Sequence, residues 1–272
     1  MGFYDLSSEK FNLRILTMAQ RDLRTIEADE IAFFAKYYET EAYNPTGWRL
    51  RLQRELRSFR RASKGKRLKR VLSIACGDGQ FELMMAPFVE HITALDISPE
   101  AIKLAKRHAV QRRITNVDFR CLSISELNWD EQFDAIICLA FLHHVPEFDL
   151  PEFLRLVFDH VKPGGLFYSQ DPNVHGVLRK IGRLVLRSHY HDYHSPDERE
   201  LDPQAIAALL RHTGFEVVKL GYIDFTVIPV TYILAKRSGW PLYFCAGIDW
   251  LWCHSPFAPW ASGFKVVAQK EE

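Results

Sequence analysis

The sequence has few of the features that mark a secreted or membrane-spanning protein. Its 272 residues include five cysteines, an odd number with no CxxC pair. Such sparse cysteine usage predicts a reduced, cytoplasmic compartment rather than a disulfide framework. No run reaches the roughly 18 apolar residues of a membrane span, and early charged residues argue against a signal peptide. We therefore expect a soluble cytoplasmic protein without a transmembrane segment.

The chain also lacks an excess of charge of one sign. Lys and Arg total 35 against 34 Asp and Glu, so the formal net charge is +1 and no global field indicates nucleic acid as a partner. One local excess exists, because residues 49–70 carry eleven basic side chains and one acid, Glu55. We interpret this stripe as a solvated helix face and linker. An electropositive rim for an anionic substrate and an RNA-binding surface are its functional alternatives.

The most informative segment is an apolar strand that ends in a turn of small residues, at positions 71–79 (VLSIACGDG). About 20 residues later a second apolar run ends in Asp96, a spacing typical of nucleotide sites. Small residues allow the backbone to approach a ligand closely, and the acid accepts hydrogen bonds from ribose hydroxyls. A dinucleotide-dependent oxidoreductase is one alternative. Against it, Glu82 stands where the GxGxxG motif requires a third glycine or alanine.

Alternating strand and helix patterns predict an α/β domain over residues 63–272, preceded by an N-terminal helical cap over residues 1–62. Such alternation produces a doubly wound parallel sheet. The expected strands span about 70–76, 92–97, 117–121, 133–140, 166–170, 215–220 and 264–268, and the expected helices include 81–89, 150–161 and 203–213. Two insertions interrupt this order, a basic segment at 174–200 and an aromatic segment at 222–263.

Four motifs in this order resemble the class I S-adenosylmethionine-dependent methyltransferases. The turn at 71–79 is similar to the family's first-strand motif, although Ser73 replaces its acid and Ala75 its first glycine. Asp96 matches the family's ribose-binding acid. Residues 133–145 (FDAIICLAFLHHV) resemble its fourth-strand motif, and the turn VKPGGL that follows resembles its entry into strand five.

The resemblance implies a Rossmann-like, seven-stranded sheet with an antiparallel last strand, and S-adenosyl-L-methionine as the cofactor. It implies cofactor contacts from the glycine turn, from the ends of strands two to four and from two N-terminal aromatic residues. These residues are Ala75, Cys76, Gly77, Gly79, Asp96, Ile97, Leu122, Ser123, Ile124, Leu139, Ala140, His144, Tyr38 and Trp48. Ser123 lies where the family often has an acid for the adenine amino group, and its hydroxyl can accept that bond as a neutral partner.

Candidate catalytic and substrate residues follow the later strands. His143 and His144 come after strand four, where the family's substrate usually arrives, and either can act as a general base near neutral pH. A structural role is the alternative. The predicted substrate contacts are Asp171 and Asn173 at the end of strand five, with Tyr190, Tyr193 and His194 in the 174–200 insertion, interpreted as a lid.

A metal site is not predicted. Three histidines fall within residues 189–194, but zinc requires its ligands on one side of the chain. His189 and His191 can share a strand face, whereas His194 cannot join them.

The function implied by the resemblance is methyl transfer to a small molecule, with a hydroxyl of a natural product, sugar or lipid-like intermediate as acceptor. This expectation rests on the lack of a nucleic-acid-binding domain and on the aromatic segment. A catalytically inactive binding scaffold, suggested by the missing acids at Ser73 and Ser123, and an RNA methyltransferase are the alternatives. The aromatic segment itself is compatible with a packed cap, a substrate pocket, a homodimer face or a membrane contact.

Overall fold

The computed structural model describes residues 23–39, 45–127, 130–146, 149–186, 198–226 and 240–272. Its strands are β1 (Leu68–Ile74), β2 (Val89–Asp96), β3 (Val117–Cys121), β4 (Phe133–Leu139), β5 (Val161–Pro172), β6 (Glu216–Ile223) and β7 (Gly263–Gln269). They form one sheet in the order β3-β2-β1-β4-β5-β7-β6. β1 to β5 are parallel, whereas β7 is antiparallel to both β5 and β6. The predicted Rossmann-like sheet with an antiparallel last strand is confirmed.

Helices cover both faces of this sheet. They are α1 (Leu23–Glu39), α2 (Pro45–Ala62), α3 (Gln80–Met85), α4 (Pro99–Arg112), α5 (Leu150–His160), α6 (Val177–Leu186), α7 (Pro203–Thr213) and α8 (Trp240–Cys253). Within the described ranges, none of them is long and apolar enough to cross a membrane.

Two apolar layers hold the helices against the strands. Successive residues of a strand point to opposite faces, so Leu72 packs with Leu154 and Leu210 on one side. Its neighbour Val71 packs with Phe81 on the other. Because both faces of the sheet are covered, β1, β2 and β4 contain runs of consecutive buried residues, at 71–74, 92–95 and 135–138, as parallel sheets require.

Two predicted boundaries are wrong for local reasons. The helix expected over 81–89 ends at Met85, and β2 begins at Val89. Between them lies a short 3₁₀ turn that contains Pro87, which has no N–H to continue an α-helical ladder. The turn expected at Pro163 and Gly164 to end the preceding helix lies instead inside β5. There Gly164 adopts φ 73° and β4 shifts its pairing register.

Helix α2 links the start of the domain to its C-terminal segment. The buried carboxylate of Glu55 accepts a hydrogen bond from the Tyr168 hydroxyl of β5 at 2.6 Å. Arg51 pairs with Asp224 at 3.2 Å, and Arg54 pairs with Asp249 of α8 at 3.3 Å. The basic stripe is therefore not solely a solvated face, because two of its arginines hold buried acids.

Gly79 should be intolerant of a side chain for a packing reason. It has φ 74°, and an added Cβ would lie 2.6 Å from the Phe119 ring and 2.9 Å from Ala105. We expect Gly79→Ala to lower the free energy of unfolding in urea by about 2–4 kcal/mol, from backbone strain plus overpacking. Gly65→Ala is the matched control, since Gly65 has φ 67° but open space around it; it should cost about 1 kcal/mol. Equal losses in the two variants would contradict the packing argument.

Candidate functional site

A cavity of about 590 Å³ lies at the carboxyl ends of the parallel strands. It straddles β1 and β4, where the strand order reverses, and this is where open α/β sheets bind ligands. Its wall contains most of the predicted cofactor residues: Ala75, Cys76, Gly77, Asp96, Ile97, Leu122, Ser123, Ile124, Leu139, Ala140, His144 and Trp48. Gly79 is not part of this wall and acts through the packing described above. The side chain of Tyr38 lies outside the described residues.

Asp96 organises the glycine turn. Its Oδ2 accepts a hydrogen bond from the Gly77 N–H at 2.8 Å, and its Oδ1 accepts one from the Ser98 N–H at 2.9 Å. Burial raises the pKa of Asp96, and these two backbone donors oppose that effect. A carboxylate offers about four acceptor positions, so Asp96 retains capacity for two further hydroxyl donors. Ala75, in place of the family's first glycine, nevertheless adopts φ 57°.

A second carboxylate lies beside Ser73, where the resemblance expects an acid on the strand. The Ser73 hydroxyl donates to Glu82 Oε1 at 2.6 Å, and both residues are 2% exposed. Glu82 Oε2 has no hydrogen-bond partner among the described residues, and Glu82 lines the cavity. Burial raises the pKa of Glu82 to about 7. Glu82 of α3 thus supplies a carboxyl group beside Ser73, at a position where β1 itself has no acid.

The same arrangement occurs at Ser123, after β3. The Ser123 hydroxyl donates to Glu27 Oε1 at 2.5 Å and lies 2.7 Å from the Ser125 hydroxyl. Glu27 belongs to α1 and lines the cavity. At both positions where the family has an acid, this chain therefore has a serine bonded to a glutamate from another element.

His143 forms a buried dyad with Asp171. Its Nδ1 lies 3.0 Å from Asp171 Oδ1, while the Ser169 hydroxyl donates to Asp171 Oδ2 at 2.9 Å. Burial lowers the pKa of His143 well below its usual range and raises that of Asp171 to about 6. Near neutral pH the imidazole is therefore uncharged. A carboxylate acceptor at Nδ1 favours the tautomer whose Nε2 carries the lone pair.

His144 has the opposite character. Burial lowers its pKa, but its contact with Glu30 Oε1 at 3.2 Å outweighs burial and leaves the pKa raised. The two imidazole rings lie 4.0 Å apart, and Phe34 meets His144 edge-on at 6.0 Å. Adjacent residues whose pKa values shift in opposite directions can serve different roles in one site. His143 is the candidate base, and His144 ties the site to α1.

The predicted substrate residues separate into three groups. Asp171 lines the cavity but engages His143. Asn173 lies outside the cavity wall, and its amide donates to the carbonyls of Pro259 and Ala261 at 2.9 and 2.8 Å. This position ties the end of β5 to the C-terminal segment and does not favour a substrate contact. Tyr190, Tyr193 and His194 lie outside the described residues.

The described part of the 174–200 insertion reaches the cavity through two charged residues. Arg179 of α6 and Glu198 both line it, and the Arg179 Nη2 donates to Glu198 Oε1 at 2.8 Å. Glu198 Oε1 lies 3.9 Å from His143 Nε2. Within the described ranges, no group of three or more His, Cys, Asp or Glu side chains is placed to hold a metal ion. The three histidines of residues 189–194 fall outside those ranges.

Sequence reasoning missed the cavity residues of α1 and α3. One face of α1 brings three residues to the cavity, namely Glu27, Glu30 and Phe34. Their helical spacing is visible in the sequence, but spacing alone does not indicate a functional role. In the sequence, Glu82 stands out only as a departure from a dinucleotide motif. Its burial beside Ser73 follows from the fold, because Phe81 and Leu83 anchor the same short helix.

The buried carboxyl of Glu82 should make stability depend on pH. Its pKa is 4.5 ordinarily and about 7 when folded, so between these values the folded state holds a proton that the unfolded state releases. Wild-type stability therefore falls as pH rises through this window. Relative to wild type, Glu82→Gln should gain on the order of 2 kcal/mol in unfolding free energy between about pH 5 and pH 8.

Urea titrations at the two pH values measure this gain. Glu216→Gln, which alters an exposed carboxyl of β6, is the control and should show no comparable change. A Glu82→Gln difference that is constant with pH would contradict an elevated pKa for Glu82.

Comparison with known proteins agrees with this geometry. A family model described as a methyltransferase domain matches residues 47–220. A protein named ubiquinone biosynthesis O-methyltransferase from Xanthomonas axonopodis pv. citri (strain 306) is 32% identical over 160 residues, covering 54% of this chain and 63% of that protein. Its namesake from Bordetella bronchiseptica (strain ATCC BAA-588 / NCTC 13252 / RB50) is 30% identical over 176 residues, covering 62% of this chain and 71% of that protein. The chain thus spans less than two thirds of the Xanthomonas relative.

Solved structures share the fold. N-methyltransferase NodS from Bradyrhizobium japonicum WM9, in complex with S-adenosyl-L-homocysteine, aligns with a TM-score of 0.57 at 16% identity, covering 88% of this chain and 99% of NodS. Magnesium protoporphyrin IX methyltransferase from Synechocystis PCC 6803 aligns with a TM-score of 0.56 at 13% identity, covering 97% and 95%. The predicted family and its cofactor are thereby confirmed, and the chain belongs to the class I S-adenosylmethionine-dependent methyltransferases.

Proposed function

We propose that this protein transfers a methyl group from S-adenosyl-L-methionine to a hydroxyl of a small, lipid-like molecule. The observation that carries the proposal is the buried His143–Asp171 dyad, which shares one cavity with Asp96 and the glycine turn. The O-methyltransferase names of the relatives support a hydroxyl acceptor. Apolar residues in the wall of the same cavity, such as Phe141 and Phe153, support an apolar acceptor.

The residues present fit the cofactor. Asp96 has spare acceptor capacity for two ribose hydroxyls, and the cavity volume of about 590 Å³ lies in the range of small-molecule sites. Leu122 and Ile124 supply apolar walls for an adenine ring beside Ser123. When bound, the cofactor supplies an electrophilic methyl group on a sulfonium.

Glu82 and Glu27 take over the roles of the two missing strand acids. The buried Glu82 Oε2 lacks a hydrogen-bond partner among the described residues. A buried oxygen without a partner is costly, and a donor on a bound ligand would satisfy it. We assign it to the positively charged amino group of the methionine part. Glu27, held by Ser123 at 2.5 Å, supplies the acceptor for the adenine amino group.

The dyad supplies general-base chemistry. Neutral His143 accepts the acceptor's hydroxyl proton at Nε2, and the oxygen becomes a better nucleophile as that proton leaves. Asp171, held by the Ser169 hydroxyl, orients the ring and stabilises the imidazolium that forms. Contact with Glu30 raises the pKa of His144 and so favours its protonated form, which cannot accept a proton. The role of base is therefore assigned to His143.

Loss of Asp96 should weaken cofactor binding without unfolding the protein. We expect Asp96→Ala to reduce the affinity for S-adenosyl-L-homocysteine by on the order of 2–3 kcal/mol, the value of charged hydrogen bonds. Isothermal titration calorimetry measures this loss. Asp118→Ala, which removes a surface acid paired with Arg120, should bind as wild type does. Unchanged affinity in Asp96→Ala would reject the ribose assignment.

Loss of the dyad should affect turnover rather than cofactor binding. We expect His143→Gln and Asp171→Asn to lower kcat by about 10²–10⁴-fold, with S-adenosyl-L-homocysteine affinity within about twofold of wild type. Because burial lowers the pKa of His143, wild-type kcat should stay constant from neutral to mildly alkaline pH and fall only in acid.

S-adenosyl-L-homocysteine release across a panel of phenolic and aliphatic alcohols measures this turnover. His212→Gln, on the exposed face of α7, is the matched control and should retain wild-type kcat. Tight cofactor binding without turnover on the whole panel would favour an inactive scaffold instead. Full activity in His143→Gln would reject the base assignment.

A further inference from the structure

The C-terminal segment exposes apolar side chains that the proposed chemistry does not use. We call the following residues, each 43–63% exposed, the aromatic surface: Tyr243, Phe244, Trp250, Leu251, Trp252, Phe257 and Trp260. The interpretation of this segment as a packed cap therefore does not hold for them. Contiguous apolar patches on a protein surface mark contact sites.

The aromatic surface is continuous with the wall of the cavity. Ring contacts run from buried Phe225 to Trp252 at 5.5 Å, from Trp252 to Phe257 at 5.4 Å, and from Phe257 to Trp260 at 5.4 Å. Asp224, which precedes Phe225, lines the cavity. One buried ring, Phe225, therefore separates the Trp252 end of the aromatic surface from a residue that lines the cavity.

The aromatic surface is also depleted of charge. Among the Asp, Glu, Lys and Arg residues, only Asp249 occurs between positions 240 and 264. Asp249 is fully buried, where it accepts hydrogen bonds from the N–H and hydroxyl of Thr226 and pairs with Arg54. The exposed part of this segment therefore combines tryptophan, tyrosine and phenylalanine without carboxylates, a composition suited to the interface between water and lipid.

Basic side chains lie on the face of α2 that contacts α8. The ion pair of Arg54 with Asp249 at 3.3 Å joins α2 to α8. Arg57 and Arg61 lie three and seven residues further along α2, on the same face as Arg54, and are exposed. The one acid of α2, Glu55, is buried against Tyr168. This edge therefore attracts anions.

Helix α6 borders the surface on another side. Gly176, just before α6, lies so close to the backbone at Ser262 that an added Cβ would be 3.0 Å from the Ser262 Cα. On α6 itself, Ile181 is 50% and Leu184 is 74% exposed, and the exposed Lys180 lies beside them. An exposed apolar stripe with a basic residue beside it is typical of helices that lie in a membrane interface.

We propose that the aromatic surface docks this protein onto an anionic lipid bilayer. The aromatic side chains enter the headgroup region, and Arg57, Arg61 and Lys180 meet lipid phosphates. A second copy of the chain is a poorer occupant. In a two-fold dimer the patch would face itself and bring the α2 arginines of both copies together. Docking places the cavity beside the bilayer, where a lipid-like acceptor can enter; this last consequence rests on the proposed function.

Vesicle flotation tests the proposal with the full chain. Wild type should float with vesicles of phosphatidylcholine that contain phosphatidylglycerol, more weakly with phosphatidylcholine alone, and less as salt is added. Trp250→Ser/Trp260→Ser and Arg57→Glu/Arg61→Glu should each bind anionic vesicles at least about tenfold more weakly. Val110→Ser is the matched control, because Val110 is 78% exposed on α4, outside the aromatic surface; it should bind as wild type does.

Calorimetry with S-adenosyl-L-homocysteine and thermal unfolding on the same variants distinguish the two proposals. Retained folding and cofactor binding with lost flotation would support the lipid surface, whatever the catalytic outcome. Failure of wild type to float would overturn it. So would a lipid-free dimer, detected by light scattering, that Trp250→Ser/Trp260→Ser converts to a monomer, because a second copy would then occupy the patch.

Discussion

The site depends on the two backbone hydrogen bonds that Asp96 accepts at the end of β2. One comes from Gly77 in the turn after β1 and the other from Ser98 at the start of α4. A half-buried carboxylate thereby joins the ends of the neighbouring strands β1 and β2, beside the point between β1 and β4 where the sheet reverses its order. The turn places Ala75 and Gly77 in left-handed conformations, which brings backbone rather than side chains to the cavity wall.

Two serine–glutamate pairs show how this chain departs from its family without losing carboxylates. Ser73 and Ser123 stand where strand acids are expected, and Glu82 and Glu27 bond to them at 2.6 and 2.5 Å. A glutamate on a neighbouring helix can place its carboxylate where a strand acid would lie, because binding depends on the position of the carboxylate and not on the element that carries it. The consequence differs between the pairs. Glu82 is buried within the domain, whereas Glu27 belongs to α1, so α1 must stay in place for the second carboxylate to act.

The strands, the glycine turn and Asp96 could be predicted because they follow from local sequence patterns. The residues that α1 adds to the site could not, because they reach it through contacts between distant parts of the chain. Alternating apolar runs, the small-residue turn and Asp96 lie within a short stretch of chain, and the structure places them as expected. Glu27 lies 96 residues from Ser123, and no spacing rule connects them. Likewise, the aromatic segment has the composition of a core, and only the packing of α8 shows that Trp250 and its neighbours are exposed.

Moving the acid from the helix back to the strand tests most directly that a glutamate held by a serine replaces a strand acid in cofactor binding. S-adenosyl-L-methionine binding should be measured by calorimetry for Glu82→Gln and for Ser73→Asp/Glu82→Gln. We expect about a tenfold or greater loss of affinity in the single variant, as for a lost charged hydrogen bond, and recovery of most of it when the acid returns to the strand. Wild-type affinity in Glu82→Gln would contradict the claim.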